Sequence, residues 1–523
     1  MVETTVIQSE RLFPSIKPIE RAVPLSLLDA TTADFSSTTA IWLFERPDGV
    51  LEDEFDLFDH FRRSLHATLN HYPQWTGLLK SITTLDSARL EKETLRFPQH
   101  ARRFGRVYAH YGSPQDPGVE FITATSTATI ETLCPASRTK EEPLFDRQKV
   151  RLDSLIPSGR LASAITAVKK DAAGVLPPVF VIQLTKTACG GFALGAKIAH
   201  PLADIQSLAY FVKDWAKISR WHLGGSSGLK PIVQPIFEPE RLDSMAIGNI
   251  NGEDANPEAL ERIKSLPLHR YDCTRRQGDA MDGMGFRRPV SHYTVHLTRD
   301  QVETIWNKIS NGDPKNPTAE RISRHDAVLA HIWSCITRAR KQQEDTGLVH
   351  CNLTYGTRPA LHFGDDFIGS PTMNINIEMS GKELASAEIA EEQRTRDVAQ
   401  CIRKTISQMS QPGAIGAHLH SVAFEKAPQR IWQAFLGSRH LIVTSWARVG
   451  IYDVDFGLNT PIRFAEGVIP DLDGDVLIKD APPLDRMKKS SDRSAWTDDG
   501  VDVSIHIRAE DMDRLIRDPL LLP

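Results

Sequence analysis

Residues 185–218 read TKTACGGFALGAKIAHPLADIQSLAYFVKDWAKI. The pair Gly190-Gly191 is a turn signal, and the preceding run PPVFVIQLTKT, from Pro177, pairs with FALGAKIAH as a hairpin. In the second strand Phe192, Leu194, Ala196, Ile198 and His200 share one parity, so an imidazole continues a largely apolar face. Pro201 disfavours helical backbone at the residue before it, which predicts an extended His200 at the end of the strand. Asp204 precedes Ile205, Leu208, Val212, Trp215 and Ile218, an amphipathic helix that an aspartate is suited to cap. A histidine at a strand end can face a cleft. The same residue types also fit a hydrogen-bonded core histidine and a plain helix cap, so this segment alone leaves both readings open.

Upstream, TTAIWLF (38–44) reads as a strand, and FDLFDHFRRSLHATLNHYPQW (55–75) places Phe58, Phe61, Leu65 and Leu69 on one helical face. Downstream, SHYTVHLTRDQVETIWNKI (291–309) and VDVSIHIRAEDMDRLIRD (501–518) each run from an alternating strand into a helix, a faint internal echo. Between them, SRHDAVLAHIWSCITRARKQ (323–342) opens with Ser323 and Asp326 at capping-box spacing and buries Val328, Leu329, Ile332, Trp333 and Ile336. Strands and helices mix without regular alternation, which predicts an α/β fold of the mixed α+β kind. The glycine-serine run at 224–228 and the polar, proline-bearing stretch after it divide the chain. We expect an N-terminal domain over 1–225, a crossover linker over 226–285 and a C-terminal domain over 286–523.

The chain has 523 residues, 41% hydrophobic and 25% charged, enough for two domains with sizeable cores. A net charge of -5 and the lack of a basic cluster argue against a nucleic-acid partner. The six cysteines, Cys134, Cys189, Cys273, Cys335, Cys351 and Cys401, form no CxxC pair and suit a reducing compartment. No apolar stretch approaches the ~20 residues that span a bilayer, and the N-terminus lacks a basic region followed by an apolar one. A cytoplasmic protein with no membrane partner is expected.

Several short matches fail on context. Residues 224–228 satisfy G-x-S-x-G, but no apolar strand enters the run and no helix leaves it, as a nucleophile elbow requires. Asp455-Phe456-Gly457 lacks the preceding lysine and loops of a kinase. DLDGD (471–475) lacks the downstream glutamate of a Ca²⁺ loop and reads as a solvated acidic turn. His418 and His420 have no carboxylate or further histidine at ligand spacing. No metal is expected.

The segment 185–218, with Trp215-Ala216, resembles the HxxxD region of the BAHD superfamily of CoA-dependent acyltransferases. TSWARVGIYDVDFGLNTP (444–461) is similar to that family's second signature, a Thr-Ser-Trp strand leading to DFGWG. The helix at 323–340, NLTYGTRPALHFGDDFIGS (352–370), PLSLLDATTADFSSTTAIWLF (24–44) and LHATLNHYPQWTGLL (65–79) resemble further family segments, in register over nearly the whole chain. Leu458 and Asn459 depart from Trp-Gly, Ile205 departs from the usual glycine, and the 225–285 connection is long. These departures suggest a divergent branch, similar to fungal O-acetyltransferases of secondary metabolism.

The resemblance implies a chloramphenicol-acetyltransferase-like pair of similar-sized domains, with mixed sheets flanked by helices and the active site at their interface. It implies a monomer that binds no permanent cofactor, takes acetyl-CoA or another acyl-CoA as co-substrate and acylates a hydroxyl of a small molecule. His200 is implied as the general base in a ternary complex, since a neutral imidazole can remove the hydroxyl proton near pH 7. Thr444 and Trp446 share strand parity and are the implied oxyanion donors. Thr444, Ser445 and Ser323 are the implied CoA contacts. Asp204 and Arg358 are implied to form a structural ion pair that fixes the His200 loop, with Asp455 and Gly457 shaping a structural turn. Two alternatives stand beside this. A catalytically inactive binding relative is supported by Leu458-Asn459, and a carrier-protein-dependent condensation catalyst is disfavoured because Ala199, not a second histidine, precedes His200.

Overall fold

The computed structural model describes residues 3–523 other than 34, 48–54, 85–89, 136–143, 151, 160, 165–169, 171–173, 226–228, 269–288, 311–319, 433–437 and 486–492. The strands of its first half are β1 (Thr4–Leu12), β2 (Arg21–Pro24), β3 (Thr38–Phe44), β4 (Leu78–Ser81), β5 (Val107–Tyr111), β6 (Val119–Ser126), β7 (Leu144–Asp146), β8 (Phe180–Thr187) and β9 (Phe192–Ile198). Those of the second half are β10 (Val290–Leu297), β11 (Leu348–Gly356), β12 (Thr372–Ser380), β13 (Leu441–Ser445), β14 (Ile462–Gly467), β15 (Asp475–Asp480) and β16 (Val501–Arg508). They form a six-stranded sheet in the order β1-β6-β8-β9-β3-β14, a seven-stranded sheet in the order β12-β11-β13-β15-β16-β10-β7, and a three-stranded sheet β2-β5-β4. Both large sheets mix parallel and antiparallel pairs, the first through β6-β8 and the second through β11-β13 and β13-β15. The expected mixed α/β class is the observed one.

The hairpin predicted around Gly190-Gly191 is present, with β8 and β9 antiparallel. Phe192, Leu194, Ala196 and Ile198 enter one apolar cluster with Phe61, Leu65 and Leu69 of helix α1 (Leu57–Leu69) and Leu208, Phe211, Val212 and Trp215 of helix α2 (Ile205–Leu223). These two helices cover one face of the six-stranded sheet because their apolar stripes have no other place to leave water. Polar groups interlock here as well: the Trp215 indole donates to Ser64 Oγ at 2.9 Å, and the hydroxyl of Tyr72, just past α1, donates to Asp214 at 2.7 Å.

Over the seven-stranded sheet lies helix α3 (Arg324–Ala339), capped by Ser323 in a full capping box with Asp326. Val328, Leu329, Ile332, Trp333 and Ile336 are buried there, as the spacing predicts. The two segments of the internal echo are neighbours, since β10 and β16 pair antiparallel throughout.

One strand from each half joins the other half's sheet. β7 pairs with β10 at the edge of the seven-stranded sheet, and β14 pairs with β3 in the six-stranded one. The part of the expected linker that is described, 229–268, holds two short helices, Pro239–Asp243 and Pro257–Lys264, and makes single bridges at Ile236 to Phe367 and Leu268 to Ile375. Residues 269–285 of that linker, Cys273 among them, and most of the 224–228 run lie outside the described residues. Among the described residues no helix is long and apolar enough to cross a membrane.

Candidate active site

β9 ends at Ile198, and His200 opens a single 3-10 turn, His200–Leu202, rather than extending the strand. Pro201 sits in the first positions of that turn, where its missing N–H costs nothing, so it starts a turn instead of holding His200 extended. The ring is half-buried, meets the edge of Phe35 at a centroid distance of 5.5 Å, and places Nδ1 2.9 Å from Ser370 Oγ. Burial pushes the His200 pKa below the ordinary imidazole value, a shift that nearby Asp204 only partly opposes. The ring is therefore neutral near pH 7.

Asp204 caps α2, its carboxylate accepting the Ser207 N–H at 2.9 Å. The same carboxylate takes both terminal nitrogens of Arg358, at 2.5 and 3.0 Å. Arg358 is fully buried, and its remaining donors go to Phe367 O, Gly369 O and Ser207 Oγ. A planar guanidinium can satisfy this many fixed acceptors at once, which a lysine cannot. The Asp204 N–H also donates to Gly369 O at 3.0 Å, so the pair ties the start of α2 to the residue before Ser370. Across that turn the Asp29 carboxylate accepts the Ser370 N–H at 2.5 Å and the Ser26 N–H at 3.0 Å. Burial raises the Asp29 pKa to about 7 against those hydrogen bonds.

His200 borders two cavities. One of about 200 Å³ is lined by Phe35, Leu79, Leu161 and Lys197. The other, about 360 Å³ and mostly apolar, is lined by Thr38, Trp432, Thr444, Ser445, Trp446 and Asp475. Thr444 and Ser445 end β13 and Trp446 follows it, so the structure brings these three to one cavity with His200. The Trp446 ring is buried against Gly467, where a Cβ would lie 2.6 Å from two ring carbons; only glycine lets the indole occupy that place. Asp475, deep in this cavity, has its pKa raised to about 8 by burial.

Beyond Val449, which lines both, opens an outer cavity of about 580 Å³ bearing Lys213, Arg321, Arg324, Arg448 and Arg493 with Asp365, Asp453 and Asp480. Ser323 lies at its rim, with its hydroxyl already shared between the Asp326 N–H and Arg403.

Asp455 and Gly457 stand apart from both His200 cavities. The Asp455 carboxylate accepts the Gly457 N–H at 2.8 Å, and its carbonyl accepts from Arg220 near the end of α2. Gly457 has φ +84°, and a Cβ there would lie 2.7 Å from Arg220 Cγ. Leu458 is buried in the core and Asn459 adopts φ +51°, a conformation that asparagine tolerates nearly as glycine does. The departures from the family pattern are thus accommodated within the turn.

DLDGD is not a solvated turn. Asp473 is buried between Arg340, at 2.8 Å, and Arg508, at 2.9 Å, Asp475 is buried in β15, and only Asp471 is exposed. Sequence reasoning missed Ser370, Asp29 and Asp475 as site residues. Ser370 closes a stretch already singled out, but nothing local ties it to a histidine 170 residues earlier.

Mixed sheets flanked by helices make this a mixed α/β fold of the chloramphenicol-acetyltransferase-like class. The chain belongs to the Transferase family, the BAHD acyltransferases, whose model matches residues 114–519. It is 23% identical to Acyltransferase AFT15-1 of Alternaria alternata, over 99% of this chain and 97% of that protein. It is 22% identical to Acyltransferase abl6 of Leptosphaeria maculans, over 100% of this chain and 98% of that one. Among solved structures it is similar in fold to F. graminearum TRI101 complexed with coenzyme A and deoxynivalenol, with TM-score 0.64, 15% identity and 96% and 98% of the two chains covered. It is also similar to vinorine synthase, with TM-score 0.59, 16% identity and 98% and 96% covered.

Proposed function

We propose that this acyltransferase moves an acyl group, acetyl in the first instance, from acyl-CoA to a hydroxyl of a small secondary metabolite, with His200 as general base in a ternary complex. The observation that carries this reading is the neutral, half-buried His200 between two cavities with Nδ1 engaged by Ser370. For Nε2 to accept a proton, Nδ1 must hold the ring's hydrogen and donate it to Ser370 Oγ, an acceptor whose backbone N–H is fixed by Asp29. Nε2 takes the proton of the acceptor hydroxyl as its oxygen attacks the thioester carbon. The tetrahedral oxyanion is met by the Thr444 hydroxyl and the Trp446 indole N–H, the C–S bond breaks, and the imidazolium returns the proton to the CoA thiolate.

The basic outer cavity suits the phosphates of CoA, with Ser445 toward the pantetheine arm; fold neighbours solved with coenzyme A support CoA as the co-substrate. Ser323 also lines this cavity; its hydroxyl oxygen accepts from the Asp326 N–H and Arg403, and its own O–H is able to donate to a CoA phosphate. Asp204, Arg358, Asp455 and Gly457 are positioning residues.

The test is release of CoA and mass of product when the protein is incubated with acetyl-CoA and a panel of hydroxylated fungal metabolites. We expect His200→Ala to lose at least the roughly 10²–10⁴-fold of general-base assistance while circular dichroism stays native. Near-normal turnover removes His200 as the base, and a ping-pong pattern with a trapped acyl-enzyme replaces the ternary complex.

A further inference from the structure

We infer that His292, His506 and Asp471 form a binding site for a divalent transition ion of the Zn²⁺ class, in a cavity that adjoins the one bordered by His200. His292 of β10 and His506 of β16 are directly opposite in the antiparallel register, and their rings stack with centroids 3.7 Å apart. Asp471 reaches the same point from the loop before β15, its Oδ1 2.9 Å from His506 Nδ1. One ligand atom from each residue lies within 4.8 Å of those from the other two. Two ligands held about 2.1 Å from a tetrahedral ion are about 3.4 Å apart, within small side-chain adjustments of atoms that lie within 4.8 Å of one another.

Two features point to a ligand here. The Nε2 atoms of His292 and His506 are both buried and without a hydrogen-bond partner, and the His506 side chain is only 2% exposed. Unpartnered buried nitrogen is uncommon because it forfeits a hydrogen bond to water. Both rings and Asp471 also line a cavity of about 470 Å³, and Asp471 is 70% exposed, which opens a path from solvent. The two cations facing the site are balanced: Arg147 pairs with Glu466 at 3.1 Å, and Lys479 lies 3.4 Å from Asp502 and 3.8 Å from Glu466. Two imidazoles and one carboxylate suit zinc and its neighbours; Mg²⁺ and Ca²⁺ prefer oxygen alone.

Pro470 and Leu472, on either side of Asp471, line the His200 cavity. An ion at this site therefore clamps one wall of the catalytic cavity to β10 and β16.

The test is calorimetric titration of Zn²⁺ into the full chain, tag removed and dialysed against chelator, with Co²⁺ absorption as a second readout and Mg²⁺ as control. We expect one equivalent of Zn²⁺, tetrahedral Co²⁺ bands, a raised unfolding midpoint with Zn²⁺ and no response to Mg²⁺. Asp471→Asn, at an exposed position that leaves the fold intact, is expected to weaken binding at least about tenfold, and His506→Gln to remove the Co²⁺ bands. No saturable Zn²⁺ binding, or binding that neither variant alters, overturns the assignment.

Discussion

Replacing Asp204 by asparagine separates its two roles. Asparagine caps a helix about as well as aspartate, so the Ser207 N–H keeps an acceptor. The negative charge is lost, and Arg358, fully buried, is left with Phe367 O, Gly369 O and Ser207 Oγ as neutral partners. Breaking one side of a buried ion pair costs about 3–5 kcal/mol. With a urea slope of about 3 kcal/mol/M or more for a chain of this size, the unfolding midpoint falls by roughly 1 M. The pair also holds the backbone beside Ser370, so His200 loses its alignment and turnover falls about tenfold to a hundredfold. Tryptophan fluorescence in urea and initial rates of CoA release measure the two effects on the same preparation. Arg358→Met combined with Asp204→Asn is expected to cost less than the sum of the single changes, because the second removes a charge the first has orphaned. Loss of rate with an unchanged urea midpoint would falsify the strut assignment and make Asp204 part of the chemistry.

The remaining predictions concern the base and its surroundings. Because burial lowers the His200 pKa, kcat/KM rises with pH through an inflection below about 6.5 and is flat above it. Ser370→Ala removes the acceptor of the imidazolium Nδ1–H, so it lowers kcat more than it raises KM and moves the inflection further down; an inflection above 7 in the unaltered protein contradicts the assignment of the base. Gly467→Ala places a methyl 2.6 Å from Trp446, shifts its fluorescence, lowers kcat and destabilises the fold by about 1–3 kcal/mol. Retention of full activity in that variant removes Trp446 from the oxyanion site.

The local features were legible in the sequence. Gly190-Gly191, the Ser323 and Asp326 box, the Asp204 cap and the apolar faces of α1, α2 and α3 depend on hydrogen bonds and periodicities a few residues long, and they appear where the spacing puts them. Order and motif also pointed to Asp204 with Arg358 and to His200 with Thr444 and Trp446, because the family resemblance joins distant segments that periodicity cannot. The backbone at His200 differs from the extended one that Pro201 favours, because the proline starts a turn at the strand's end. Only the tertiary structure decided which side chains finish the sites. Ser370 meets His200, Asp29 holds Ser370, β14 crosses to pair with β3, and His292 stands beside His506. These contacts span up to several hundred residues and are set by sheet register and the packing of one layer on another, so no local spacing of residue types records them.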